Sequence, residues 1–67
     1  MGLGFNEVQR RVGSLRPEQK RAARAALNNL NRRGENNIEI FDFRRALNEI
    51  GNSNRIDFNE ICGRIFG

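Results

Sequence analysis

The sequence predicts an all-α fold: a small bundle of four short helices, folded as one domain over residues 1–67. Three observations lead there. Apolar residues recur every three to four positions in four separate stretches, the period of a helix with one buried side. Between the stretches lie Gly13, an Asn-rich loop after Gly34, and a second Asn-rich loop after Gly51, each a helix stop or a turn former. Finally, a short pattern is written twice, eighteen positions apart. Ile38-Glu39-Ile40-Phe41-Asp42-Phe43 aligns with Ile56-Asp57-Phe58-Asn59-Glu60-Ile61, with Asn36 over Asn54 before it and Leu47 over Ile65 after it. A repeated unit sets architecture, and here it describes a polar loop, one extended step and a helix, twice.

The first helix is expected from Gly4 to Val12, with Phe5, Val8 and Val12 on one side, Leu15 continuing that side, and Gly13 as the stop. The second begins at Pro17, which suits the first helical position, and has Glu18 near its positive end. Its inner stripe is Ala23, Ala26, Leu27 and Leu30. Arg21, Arg24, Asn28 and Arg32 line the opposite side, flanked by Lys20 and Arg33, until Gly34 ends the helix. The third helix is expected from Asp42 to Ile50, with Phe43, Ala46, Leu47 and Ile50 inward and Arg45 paired with Glu49 outward. Asp57 reads as the N-cap of the fourth, with Glu60 three residues later completing a capping box, and Phe58, Ile61, Cys62 and Ile65 share its inner face.

Composition narrows the function classes. A chain of 67 residues buries only about 60% of its unfolded surface, so a metal, a disulfide or a partner would add materially to its stability. The lone Cys62 has no second cysteine to pair with. No run of about 18 apolar residues exists, so no membrane span is expected. The start of the chain lacks the basic-then-apolar pattern of a secretory signal, and with the single cysteine this points to an intracellular protein of unspecified compartment. Net charge is +4, and Lys20 is the only lysine among twelve basic residues. Arginine suits phosphate, carboxylate and aromatic contacts, which hints at an acidic or polyanionic partner.

Enzymatic machinery is not expected. There is no His, Tyr or Trp, and no Gly-rich phosphate loop. Cys62 sits on an apolar helical face with no imidazole anywhere to activate it. The acidic pairs Glu39/Asp42 and Asp57/Glu60 would need a cleft and separated pKa values to act as acid and base.

Three stretches together carry a resemblance. Leu15-Arg16-Pro17-Glu18-Gln19 looks like the start of the first helix of an EF-hand, Phe43 to Gly51 like an exit helix, and Arg55-Ile56-Asp57-Phe58-Asn59-Glu60-Ile61 like the second half of another EF-hand loop. The resemblance implies EF-hand-like loops joined by a short antiparallel bridge, here between Ile38-Glu39-Ile40 and Ile56-Asp57-Phe58, within one chain or between two. It also implies where calcium would sit, and the residues depart from that pattern. A calcium loop needs oxygens at alternate positions, Gly at the sixth and a bidentate Glu at the twelfth. Counting from Asn31, the third position is Arg33, the sixth Asn36, and the twelfth Asp42; Glu35 and Ile38 hold the fifth and eighth. Counting from Glu49, Gly51 and Ser53 take the third and fifth, and Ile56, Asp57 and Glu60 the eighth, ninth and twelfth. Glu49 must also end a helix, and this second hand lacks its own first helix. No metal and no cofactor are expected; were a metal bound, Asp57 and Glu60 would be its ligands.

The leading expectation is a non-enzymatic protein-interaction module of degenerate EF-hand type. It would bind a partner protein or self-associate through an apolar face that includes Phe41 and Phe66, which fall outside the inward stripes. The alternative is a small nucleic-acid-binding protein using the Arg-rich helix 17–33, with Arg21, Arg24, Asn28 and Arg32, joined by Arg44 and Arg45. A weak calcium-binding protein stands third.

Overall fold

The computed structural model describes residues 2–50 and 57–67. In chain order these form β1 (Gly2–Gly4), α1 (Phe5–Val12), α2 (Pro17–Arg32), β2 (Asn37–Glu39), α3 (Ile40–Ile50) and α4 (Phe58–Phe66). The four helices surround one core, and a two-stranded antiparallel sheet closes one edge of it. The Cα radius of gyration is 10.4 Å, against about 11 Å for a folded chain of this length.

α2 forms where its sequence says it should. Ala23, Ala26, Leu27 and Leu30 are all buried, and Ala supplies the best helix propensity. Its first turn is tied by Gln19, whose Oε1 accepts from the Arg16 backbone N–H at 3.3 Å. Gln19 is the buried polar side chain among the described residues, and this bond gives its carbonyl a partner. The far end closes in a Schellman turn. Gly34 donates to the Asn31 carbonyl at 3.0 Å and Glu35 to the Leu30 carbonyl at 3.2 Å. Gly34 has φ +81°, a left-handed conformation that glycine takes without steric cost.

α3 packs along α2 and carries the centre of the core: Phe43, Ala46 and Leu47 are buried. The helix begins at Ile40, two residues before the expected Asp42, directly after β2. α4 begins at Phe58, eighteen positions later, so the repeat read from the sequence marks matched helix starts. Phe43 and Ile61 are buried at equivalent places, as are Leu47 and Ile65.

The bridge has a different partner from the expected one. Leu3 faces Ile38, with Gly2 against Glu39 and Gly4 against Asn37. Ile56 lies outside the described residues, while Asp57 caps α4 and Phe58 is its first residue, so Asp57 and Phe58 are not strand. The physical reason is a second, fainter parallel thirty-five positions apart. Leu3, Phe5, Val8 and Val12 stand to β1–α1 as Ile38, Ile40, Phe43 and Leu47 stand to β2–α3. Two strand-helix units therefore meet at Leu3 and Ile38, and Ile38 is fully buried by the meeting.

Other expectations are corrected by longer-range contacts. Glu49 does not pair with Arg45; it accepts from Arg33 at 2.8 Å, linking the end of α2 to α3. The capping box of α4 is half formed. Asp57 Oδ1 accepts from the backbone N–H groups of Asn59 (3.0 Å) and Glu60 (3.3 Å), but the Glu60 carboxylate turns to Arg64 at 3.2 Å. Ile50 is not inward but exposed, being the last residue of its helix. Arg11 of α1 donates to the Ile65 carbonyl at 2.7 Å, meeting the last turn of α4 where carbonyls lack helical partners.

Candidate functional site

Several of the positions that would make a calcium loop have other partners or places. Asn31 is exposed within α2, and Arg33 brings its guanidinium to Glu49. Ile38 is buried in the sheet, and Asp42 lies in the first turn of α3. Asp57 and Glu60 serve α4 itself, one as its cap and the other as the partner of Arg64. Of the second loop, Gly51, Ser53 and Ile56 lie outside the described residues. Among the described residues no group of three or more acidic, His or Cys side chains is placed to hold a metal ion.

Among the described residues two ionisable groups have displaced pKa values. The Glu7 carboxyl is held below the ordinary range, chiefly by the hydrogen bond from Arg11 and then by that from Arg10. Burial pushes the Cys62 thiol up, against a smaller opposing pull from the Arg44 charge. Cys62 is thus a packed, protonated thiol in the core, the opposite of the environment that activates a nucleophile.

The two candidate aromatic anchors separate. Phe66 folds back onto the core and meets Phe43 edge to face, with ring centroids 5.7 Å apart. It is half-buried, which corrects the expectation of an exposed ring. Phe41 is 68% exposed, the most exposed large apolar side chain among the described residues, and Ile40 beside it is 42% exposed. The Arg45 guanidinium lies over the Phe41 ring, 5.8 Å from its centroid.

No family model, curated protein or solved structure matches this chain.

The six candidate nucleic-acid-binding residues also divide. Arg21, Arg24, Asn28 and Arg32 are exposed on α2, opposite its buried stripe. Pro17, Lys20, Arg21, Arg24, Ala25 and Asn28 line a shallow open depression there. Arg44 and Arg45 belong to α3 and are occupied, Arg44 donating to Asn59 Oδ1 of α4 and Arg45 stacking on Phe41. The interhelical roles of Arg11 and Arg33 were not visible in the sequence. Each joins residues far apart in the chain, and no local spacing signals such a pair.

Proposed function

We propose that this protein is a non-enzymatic protein-interaction module of degenerate EF-hand type, and that it holds its protein partner through Phe41 on α3. The observation that carries the reading is the exposure of Phe41. Among the described residues fourteen apolar side chains are buried in the core, Phe43 included, yet Phe41 on the same helix is turned to solvent at 68% exposure. A large exposed aromatic beside Ile40 and a stacked arginine has the composition of an interface anchor. The EF-hand comparison is supported by the order helix α2, loop, single β step, helix α3, with β2 paired antiparallel to a second strand-helix unit. The module is read as degenerate because Arg33 occupies a place where calcium needs an oxygen. Its core closes through α4.

The partner is either another protein or a second copy of the chain, and one experiment reads both. A photo-crosslinking phenylalanine analogue at position 41, irradiated in the protein's own cellular setting, should yield an adduct of one discrete mass. The same analogue at Gln9, exposed on α1, should yield none. No adduct at position 41, or an equal smear from both positions, would refute the reading.

A further inference from the structure

We propose that α2 is a DNA-docking helix, whose exposed cationic face lies against the phosphates of a B-form duplex. This goes beyond the protein-interaction reading and rests on a different element. The four ion pairs among the described residues use Arg10, Arg11, Arg33 and Arg64. None uses Lys20, Arg21, Arg24 or Arg32. The only acidic residue of α2 is Glu18 in its first turn, N-terminal to the cationic strip. The face is therefore a strip of one sign, unneutralised by the fold.

Length and shape select the partner. From Lys20 to Arg32 the helix rises about 18 Å, which spans about five phosphates along one strand of a duplex. Charges recur at one-turn steps, with Asn28 between Arg24 and Arg32, where its amide can pair with a base edge. The B-DNA major groove admits a helix, whereas the deep, narrow major groove of an RNA duplex does not. No aromatic side chain belongs to this face, so it offers no stacking platform for a single strand. The depression at Pro17 and Ala25 adds only small side chains between the cations, leaving the helix free to approach the phosphates closely.

The test is fluorescence anisotropy with a labelled 20-base-pair duplex, its single strand, and a poly-glutamate peptide, each titrated with the full chain across a salt series. Four cations on phosphates give a log–log salt slope of about −3.6, so a rise from 50 to 200 mM salt should weaken duplex binding on the order of 100-fold. The triple substitution Arg21→Gln, Arg24→Gln, Arg32→Gln changes exposed residues only and should leave the helical circular dichroism spectrum intact. It should cut the slope by about 2.7 and the low-salt affinity by more than about tenfold. A Phe41→Ser variant should bind the duplex as the wild type does, which separates this proposal from the one on α3. Equal or tighter binding of the single strand or of poly-glutamate would overturn the proposal. So would duplex binding that survives the triple substitution, or no duplex binding at 50 mM salt.

Discussion

Phe41 and Phe43 stand two residues apart on one helix, and they should respond to the same substitution in opposite ways. Phe43 is fully buried and meets Phe66 edge to face. Truncating a buried phenylalanine to alanine costs about 3–5 kcal/mol, combining lost transfer energy with the cavity left behind. The stability available to 67 residues is about 3–10 kcal/mol. Phe43→Ala should therefore lower the melting temperature by more than about 12 °C, and at the bottom of that range it leaves no folded majority. Phe41→Ala removes a ring already in water. Its stacked Arg45 contributes about 0.5–1 kcal/mol at an exposed site, and the better helix propensity of alanine offsets about half a kcal/mol of that. The net change should stay within about 0.5 kcal/mol. Urea titration followed at the helical circular dichroism band measures both. Comparable losses at the two positions would mean that α3 presents a different face to the core, and the partner reading for Phe41 would fall with it.

Gly34→Ala should destabilise by about 1–2 kcal/mol despite the open space around it, because the cost is the left-handed backbone and not a clash; thermal melts would show it, and an unchanged melt would refute the Schellman assignment. Calcium at 1 mM should raise stability by no more than about 0.4 kcal/mol, the value for a site with a millimolar dissociation constant; micromolar uptake in calorimetry, abolished by Glu60→Gln, would contradict the engagement of these carboxylates described above. The Glu7 carboxyl is held low in the folded state by Arg11 and Arg10, so its contribution is present above the ordinary carboxylate range and is lost as pH falls through its lowered value. Melts across acidic pH should accordingly show a shallower decline in Glu7→Gln than in the wild type.

What could be read from the sequence follows the range of each interaction. The buried stripe of α2 was legible residue by residue, because local propensity and a 3.6-residue period agree there. That α3 and α4 sit at matched places was legible through the eighteen-residue repeat, though α3 starts two residues before the expected Asp42, and the burial of Phe43, Leu47, Ile61 and Ile65 came with them. β1 was not, since Gly2-Leu3-Gly4 has poor strand propensity and draws its reason from Ile38, far along the chain. The parallel between Leu3-Phe5-Val8-Val12 and Ile38-Ile40-Phe43-Leu47 was the available signal, fainter than the repeat that drew the bridge to Ile56 instead. Glu49 tells the same story on a smaller scale. An i,i+4 rule favours Arg45, but the chain turn at Gly34 delivers Arg33, and the aromatic ring of Phe41 claims Arg45. The candidate surfaces were legible as residue types. Which of them remain free depended on tertiary contacts, and so Phe66 and Arg44 were lost to the fold while Phe41 and the α2 strip were not.

The meeting of Leu3 with Ile38 also orders events in time. α2 and α3 are joined by the few residues from Arg33 to Glu39, so their contact closes a short loop, whereas the sheet must close a span of about thirty-five residues. By loop entropy that longer closure costs about 1.4 kcal/mol more, for a return of only three residues of strand. The α2–α3 hairpin is thus the natural nucleus, and β1 docks after it and leaves before it. Amide exchange should record that hierarchy, with the N–H groups of β1 and β2 opening sub-globally while those around Phe43 wait for the whole molecule to unfold. On a growing chain, Leu3 stays unpaired until Ile38 has been made, so this segment spends an interval of seconds with its apolar residues uncovered.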